Sequence, residues 1–302
     1  MHRVNPRMSA VFDLHCDTPH NIVRGKFNHV KPGKLYQQSY AGAVFAHFIY
    51  PKAKHAFVDA VKMVASTTEY ANRSGRLRLI RKYRTEEQGK VNIILGVEGG
   101  HIFDAVFQQV EALYGMGVRV FTLTWNNSNR LAHSAIEADK RGLTKRGKEY
   151  VRKMLRYGVI IDMSHASTRT VLDVCDIYED GVIASHSCLR TLNPSFLRNI
   201  DDHAIKAIHE RGGVVGINFS KYHLGKHSIV DHIDYLCQNY GVSCAAIGSD
   251  FDGITDPVIR SPGGIRGLEK KMLGRGYKES DVCRIFSKNF LRVLRKSVGR
   301  KA

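Results

Sequence analysis

The chain has 302 residues, of which 43% are hydrophobic and 25% charged, and its formal net charge is +18. This composition is typical of a globular protein with a large core, and no segment approaches the roughly 18 consecutive apolar residues of a membrane span. The densest basic clusters, residues 73–84 and 291–302, contain a single aromatic residue, Tyr83, and no recognisable reading module. We therefore assign the first to the solvated face of a helix and the second to a fraying helix end, and we expect no nucleic-acid partner.

Two features of the sequence indicate a cytoplasmic protein. The N-terminal stretch MHRVNPRMSA contains basic residues but no apolar core of a signal peptide, so we expect neither secretion nor a membrane anchor. The six cysteines are scattered along the chain without a Cys-x-x-Cys pair. Such spacing fits reduced thiols better than disulfides or a zinc ribbon.

Short apolar, β-branched runs alternate with longer amphipathic segments along the chain. We predict strands over residues 11–14, 43–49, 91–97, 118–124, 159–163, 182–184, 214–219 and 245–248. We predict helices over residues 55–83, 104–114, 144–156, 168–178, 202–210, 229–240 and 279–294, and a glycine-rich loop over residues 260–277. Eight strands that alternate with helices predict an α/β fold, a (β/α)8 barrel of the TIM type, in a single domain over residues 1–302.

Polar side chains with metal-binding or acid–base chemistry fall at the ends of five of these strands. They are His15, Asp17, Glu98, His165, His186 and Asp250. A lone histidine at a strand end is more often a hydrogen-bonded structural group. Six such residues are different, because barrel enzymes carry their chemistry at the carboxyl ends of the strands, which meet at one mouth. Clustered carboxylates would also repel one another there unless cations compensated them.

The spacing of these residues predicts two metal ions. Side chains two residues apart on a strand point to the same side, so His15 and Asp17 can reach one ion. His165 and His186, on adjacent strands, suit a second ion, and Glu98 can offer one oxygen to each. Histidine and carboxylate ligands favour zinc, although manganese or cobalt could substitute. Two ions about 3.5–4 Å apart can share a hydroxide that attacks a substrate at neutral pH.

Such a hydroxide needs a proton acceptor as it attacks and a proton donor for the leaving group. Asp250, a carboxylate at the end of the last predicted strand, is the candidate for both tasks. We therefore predict Asp250 as the catalytic acid–base residue. A calcium loop is excluded here, because the aspartates of this segment do not match the EF-hand spacing.

At this point the chain resembles a known family, the membrane (renal) dipeptidases and their bacterial, cytoplasmic relatives. The resemblance lies in an ordered set of motifs between residues 12 and 294: DLHCDT, GVEGGH, GVRVFTLTWNN, GLTKRGKEYVRKMLRYGVIIDMSHAS, ASHSCLR, RNI, GVVGINF and IGSDFDG. Each motif alone is weak, but the ordered set covers nearly the whole chain and is very specific.

The resemblance implies a barrel of the metallo-dependent hydrolase type and a metallodipeptidase activity. The enzyme would hold two zinc ions and cleave the only peptide bond of a dipeptide, and it would assemble as a homodimer. Carried over by motif, His15 and Asp17 would bind one zinc, His165 and His186 the other, and Glu98 would bridge them. Asp250 matches the aspartate that shuttles the proton in this family.

Two further assignments depend on the resemblance alone. Arg198 in LRNI matches the family arginine that binds the C-terminal carboxylate of the substrate, a task that suits a planar guanidinium. The segment before it is one residue longer than the usual pattern, so Arg190 is the alternative. After the fourth strand the chain has Trp125, where well-studied members carry a histidine that contacts the scissile carbonyl oxygen. Stabilisation of that oxygen would then fall on the metals, or on His133 or Asn126.

Three alternatives stay open beside a zinc-dependent dipeptidase that accepts dipeptides, including those with a C-terminal D-residue. Another binuclear-metal amidohydrolase would act on an N-acyl amino acid or a lactam. A degenerate barrel would only bind its ligand, but the complete set of ligands argues against it. Nucleic-acid binding is the least favoured, and the salt dependence of retention on DNA would test it.

Overall fold

The computed structural model describes residues 9–38, 40–82, 89–138 and 140–298. Within these residues, parallel strands form one sheet: β1 (Val11–Cys16), β2 (Tyr40–Phe48), β3 (Leu77–Leu79), β4 (Val91–Glu98), β5 (Val118–Thr122), β6 (Ile160–Asp162), β7 (Val182–Ala184), β8 (Val214–Ile217) and β9 (Ala245–Ile247). Their order is β1-β2-β4-β5-β6-β7-β8-β9, and β3 pairs with the first residues of β4.

The sheet closes on itself between its two end strands. The amide N–H of Asp250, just beyond β9, donates to the His15 carbonyl at 3.1 Å, and that of Asp17 donates to the Phe251 carbonyl at 2.8 Å. Cys16 also forms a parallel bridge with Phe251. The predicted (β/α)8 barrel is therefore confirmed, with the carboxyl ends of its strands at one mouth.

Helices connect the strands. The α-helices are α1 (Thr18–Arg24), α2 (Ala56–Ser74), α3 (Gln108–Met116), α4 (Ala135–Ala138), α5 (Lys145–Tyr157), α6 (Thr168–Cys175), α7 (Asp202–Glu210), α8 (Lys221–Leu224), α9 (Ile229–Tyr240), α10 (Ile265–Gly274), α11 (Glu279–Cys283) and α12 (Asn289–Val298). Short 3-10 helices cover Pro32–Gln38, Gly100–Ile102, Val242–Cys244 and Pro262–Gly264, and a π-helix, Arg284–Lys288, joins α11 to α12.

An apolar cluster fills the barrel, with at least one buried residue from each of its eight strands: Phe12, Leu14, Val44, Ile94, Val120, Ile160, Ile183, Val214 and Ala246. The last helix packs on this cluster, and the ring centroid of Phe290 lies 5.0 Å from that of Phe12. The side chain of Asn289 donates to the carbonyl of Ala245, the first residue of β9, at 2.9 Å. Helix α12 therefore covers the amino ends of the strands, and the opposite mouth is left for the polar residues.

Two predictions in the periphery were wrong. The predicted helix over residues 55–83 ends at Ser74, and residues 77–79 of the first basic cluster form β3 instead of a helix face. Gly75, whose φ is 64°, turns the chain at this point. The predicted glycine-rich loop over residues 260–277 contains α10, which buries Ile265, Leu268 and Met272.

Some predictions fall outside the described residues. Residues 1–8 of the N-terminal stretch, residues 83 and 84 of the first basic cluster and residues 299–302 of the second belong to this group. The predicted final helix over residues 279–294 is present, but it is divided by the π-helix and extends to Val298.

Candidate metal and substrate site

The five side chains predicted as metal ligands lie together at the carboxyl mouth of the barrel. His15 belongs to β1, Asp17 follows it, Glu98 ends β4, and His165 and His186 follow β6 and β7. All five are buried, and none is more than 8% exposed. The sequence-based expectation that these strand ends share one mouth is therefore correct in geometry.

Glu98 lies between two groups of histidines. Its Oε1 is 3.0 Å from Nε2 of His165 and 3.5 Å from Nε2 of His186. Its Oε2 is 3.6 Å from Nε2 of His15, which lies 3.4 Å from Oδ2 of Asp17. One carboxylate oxygen of Glu98 thus faces each group, as a bridging ligand requires.

The donor atoms fit a pair of divalent cations. The ligand atoms of His15, Asp17 and Glu98 all lie within 4.8 Å of one another, and so do those of Glu98, His165 and His186. Nε2 of His15 is buried without a hydrogen-bond partner among the described residues, although it lies inside a ring of polar groups. Imidazole nitrogens with carboxylate oxygens form a donor set that suits zinc, cobalt or manganese.

Burial and mutual charge shift the pKa values of these groups in different directions. Burial opposes protonation of His15, but the carboxylates of Glu98 and Asp17 raise its pKa well above the ordinary range. Burial also disfavours the ionised form of Glu98, yet His15 and His165 hold its pKa well below the ordinary range. The carboxylates thus attract a positive charge into the cluster, and a bound cation would take the place of the histidine proton.

A network that sequence reasoning missed orients two of the imidazoles. Ser185 Oγ donates to Oδ2 of Asp162 at 2.6 Å, because a carboxylate can only accept. The same oxygen lies 2.8 Å from Nδ1 of His186 and 3.3 Å from Nδ1 of His15, and therefore accepts from both rings. Each imidazole then carries its proton on Nδ1 and keeps the lone pair of Nε2 for the cluster. The only signal in the sequence was the position of Ser185 beside His186.

His165 is oriented separately. Its Nδ1 lies 2.8 Å from Oδ1 of Asn126, so Nδ1 donates and Nε2 again faces Glu98. The backbone of His165 has a φ of 69°, in the left-handed region that non-glycine residues rarely adopt. Such a conformation costs on the order of 1–3 kcal/mol and is concentrated at functional sites.

Asp250 follows β9 and also has a left-handed backbone, with a φ of 60°. Its Oδ2 accepts from Nδ2 of Asn218 at 2.8 Å. Burial raises its pKa well above the ordinary range, and the nearby carboxylates of Asp17 and Glu98 add to this shift while His15 opposes it. A ligand atom of Asp250 also lies within 4.8 Å of those of His15 and His186, so its geometry permits either a proton-transfer or a ligand role.

The cluster opens into a cavity of about 200 Å³. This volume is below the roughly 300–1,000 Å³ of typical drug-sized sites and therefore suits a small ligand. Apolar side chains form much of the wall beyond the ligands: Phe48, Trp125, Ile136, Phe196 and Ile254. A larger open groove of about 1,010 Å³ lies between α3 and α5, but it contains none of the predicted site residues.

The two candidate arginines occupy different places. Arg198 lines the cavity and is buried, and it donates to Ser187 Oγ at 3.1 Å and to the His186 carbonyl at 3.0 Å. Burial lowers its pKa to about 10, so it is still a cation at neutral pH. Arg190 is not part of the cavity wall. It donates to the carbonyls of Asn199 and Leu197, and so holds the loop that carries Arg198.

Trp125 forms one wall of the cavity. Its ring centroid lies 4.8 Å from that of Phe48 and 6.2 Å from that of His165. His133, one expected substitute for the family histidine, is outside the cavity wall, and its Nδ1 lies 2.7 Å from the Gly142 carbonyl. Asn126, the other one, lines the cavity.

His223 is a cavity residue that sequence reasoning missed. It belongs to the short helix α8, after β8, and its ring centroid lies 4.6 Å from that of Phe196. The segment SKYHLG carries no recognisable motif, so only the folded chain shows that His223 reaches the site.

Comparison with known proteins agrees with this geometry. The family model "Membrane dipeptidase (Peptidase family M19)" matches residues 2–301. The chain belongs to this family. The protein is therefore a metallodipeptidase-type hydrolase, as the sequence motifs indicated, and the histidine and carboxylate cluster is its candidate metal site.

Individual relatives are similar over most of the chain. Dipeptidase tcpJ of Claviceps purpurea is 28% identical over 95% of this chain and 73% of its own length. An uncharacterized protein in the pqqA 5' region of Klebsiella pneumoniae is 31% identical over 74% of this chain and 90% of its own length. A metallopeptidase structure from Rhodobacter sphaeroides shares the fold, with a TM-score of 0.86 and 22% identity over 96% of this chain and 99% of that one.

Within the described part of the chain, no helix is both long enough and apolar enough to span a lipid bilayer. This finding agrees with the absence of an apolar run in the sequence.

Proposed function

We propose that the protein is a zinc-dependent dipeptidase, with two zinc ions per chain, that hydrolyses the peptide bond of dipeptides. The observation that carries the proposal is the placement of Glu98, one oxygen of which faces His15 while the other faces His165 and His186. A carboxylate between two donor groups is the arrangement that a binuclear centre needs. Manganese or cobalt in place of zinc would require the same residues.

The bound cations would supply Lewis-acid polarisation of the scissile carbonyl and a hydroxide nucleophile at neutral pH. The chain's own residues do the rest. Asp250 takes up a proton at the carboxylate oxygen that Asn218 leaves free, and returns it to the leaving amine. Trp125 and Phe48 close one side of the cavity and exclude water from it.

Arg198 restricts the substrate to dipeptides in this proposal. Its buried guanidinium lines the same small cavity as the ligands, so a substrate carboxylate paired with it lies at a fixed distance from them. Only the bond one residue from the C-terminus can then reach the reacting position. The cavity of about 200 Å³ leaves room for one small residue on the other side.

We extend the proposal to dipeptides with a C-terminal D-residue. The related structure from Rhodobacter sphaeroides was solved with a phosphinate mimic of the dipeptide L-Ala-D-Ala, and its fold is the same. The homodimer, the cytoplasmic location and the single domain over residues 1–302 stay predictions beside it.

Turnover of a dipeptide library tests the proposal. The library contains L-L and L-D pairs, their C-terminal amides, tripeptides and N-acyl amino acids, and each is assayed with and without a chelator. We expect efficient cleavage of free dipeptides, poor cleavage of tripeptides and amides, loss of turnover with the chelator, and recovery with added zinc.

The other outcomes are equally informative. Efficient cleavage of amides or N-acyl amino acids would contradict the carboxylate anchor and favour a broader amidohydrolase. Turnover that persists in a protein shown by elemental analysis to hold no metal would contradict the binuclear centre.

A further inference from the structure

His223 and Arg198 line the same cavity from two different segments of the chain. His223 is the third residue of α8, and Arg198 lies in the segment between β7 and α7. Nδ1 of His223 and Nε of Arg198 are both buried without a hydrogen-bond partner among the described residues. Buried polar groups are nearly always paired, so two residues with unpaired polar atoms that line the same cavity are candidates to bind a polar ligand there.

The position of His223 is fixed by the loop that carries Arg198. Nδ2 of Asn199, the residue after Arg198, donates to the His223 carbonyl at 2.9 Å, and Nδ2 of Asn193 donates to it at 3.2 Å. Phe196, from the same loop, packs on the imidazole face at a centroid distance of 4.6 Å. His223 and Arg198 therefore form one framework and keep their relative position.

The imidazole of His223 is neutral. Burial, together with the nearby Arg198 and His165, lowers its pKa to about 2. A neutral imidazole has one N–H donor and does not repel the guanidinium, so the two groups can face the same anion.

One arginine alone does not satisfy a carboxylate enclosed in this cavity. A carboxylate has about four lone-pair sites, and each one left unpaired away from water costs free energy. Two of the N–H groups of Arg198 already donate to Ser187 and to the His186 carbonyl. A second donor beside the guanidinium would meet this need.

We propose that His223 binds the C-terminal carboxylate of the substrate together with Arg198, through an imidazole N–H. The inference rests on the proposed dipeptidase function and names a residue that fixes its specificity for a free carboxylate. The part of the cavity lined by Arg198 and His223 is thereby assigned to recognition of the carboxylate, and the scissile carbonyl does not depend on His223.

Two variants separate this role from a structural one. His223→Phe keeps an aromatic ring against Phe196 but removes the donor, whereas His223→Asn keeps an amide N–H at the place of Nδ1. For a dipeptide, His223→Phe should raise KM on the order of ten-fold with kcat nearly unchanged, because a hydrogen bond to a charged group is lost. His223→Asn should stay close to the native KM. The C-terminal amide of the same dipeptide, used as a poor substrate, should show no such difference between the three proteins.

A binding measurement gives an independent readout. A phosphinate dipeptide mimic and its C-terminal amide are titrated calorimetrically into native, His223→Phe and His223→Asn proteins, each loaded with zinc and checked for a native thermal transition. The phosphinate with a free carboxylate should bind His223→Phe about ten-fold more weakly than the other two proteins. The amide should bind all three equally.

The contradictory outcomes are distinct. A fall in kcat of His223→Phe for both the dipeptide and its amide would place His223 at the reacting carbonyl. Equal KM values for the dipeptide in all three proteins would show that His223 does not bind the carboxylate. Either result overturns the proposal. If the native protein cleaves no dipeptide, the proposed function fails, and the role of His223 is decided by the calorimetric comparison. A native protein that does not bind the phosphinate overturns both.

Discussion

The substitution Asp250→Asn removes the proton-accepting carboxylate and keeps the shape of the side chain. Asparagine tolerates the left-handed backbone that this position requires, with its φ of 60°. Its side-chain oxygen can still accept the hydrogen bond that Asn218 now donates to Oδ2 at 2.8 Å. Asp250→Asn therefore removes the proton acceptor without a change in backbone or volume.

The expected loss follows from the role of Asp250. If this carboxylate carries the proton, kcat falls on the order of 10²–10⁴-fold, the usual contribution of a general acid–base residue. Metal content should stay at the native value, because the five other donors are intact. Elemental analysis and kcat are measured on the same preparation, so a loss of metal cannot be mistaken for a loss of proton transfer.

A matched control is available two residues away. Asp252 has the same left-handed conformation, with a φ of 70°, and its carboxylate accepts from Thr18 Oγ1 and from the His29 amide. Asp252→Asn should lower the thermal transition but change kcat by no more than a few-fold, a small effect on the scale of acid–base catalysis. Loss of metal together with activity in Asp250→Asn would refute our reasoning and make Asp250 a ligand, which its distance to His15 and His186 allows.

Three further predictions concern the residues around this carboxylate. Glu98→Gln should lower the zinc content of both sites, because a neutral amide cannot offer an anionic oxygen to each; native stoichiometry by elemental analysis would contradict the bridge. Arg198→Ala should raise KM for dipeptides by a factor that corresponds to roughly 1.5–3 kcal/mol, while Arg190→Ala should mainly lower thermal stability, since it holds its own loop. A raised KM in Arg190→Ala with an unchanged KM in Arg198→Ala would show that Arg190 binds the substrate carboxylate. Ser185→Ala should weaken zinc binding about 10–100-fold, because it removes the hydroxyl that orients two imidazoles. Competition with a chelator measures this affinity. An unchanged zinc affinity would show that the imidazoles need no hydrogen bond with Ser185.

The clustering of the proposed ligands could be predicted from the sequence, because the barrel brings the carboxyl ends of its strands together. Glu98 and His186 are far apart in sequence, yet each ends or follows a buried parallel strand, and such ends meet at one mouth. No such rule connects the groups that support the ligands. Ser185 is one of many serines, and its role appears only when Asp162 and the two imidazoles are brought within hydrogen-bond distance of it.

The loop predicted over residues 260–277 was wrong for a different reason. Its glycines favoured a loop, but Ile265, Leu268 and Met272 recur at the spacing of one helix face and are buried in α10. Burial of three apolar side chains outweighs the cost of about 1 kcal/mol that a glycine adds inside a helix. The strand Leu77–Leu79 was also missed. Its three residues form a strand because they pair with β4, which lies further along the chain.

In our proposal, metal binding and substrate recognition are carried out by different parts of the chain. The proposed ligands lie at or just beyond strand ends of the barrel, whereas the proposed substrate contacts, Arg198 and His223, lie in connecting segments. One of these segments fixes the other through Asn199 and the His223 carbonyl. Trp125 packs against His165 but offers neither a charge nor a ligand atom, so a change at this position alters the cavity wall without a change in the donor set. We therefore expect this chain to keep its metal chemistry although it lacks the histidine that the resemblance implies at this wall. We expect Trp125 to change which substrate side chains fit beside the scissile bond.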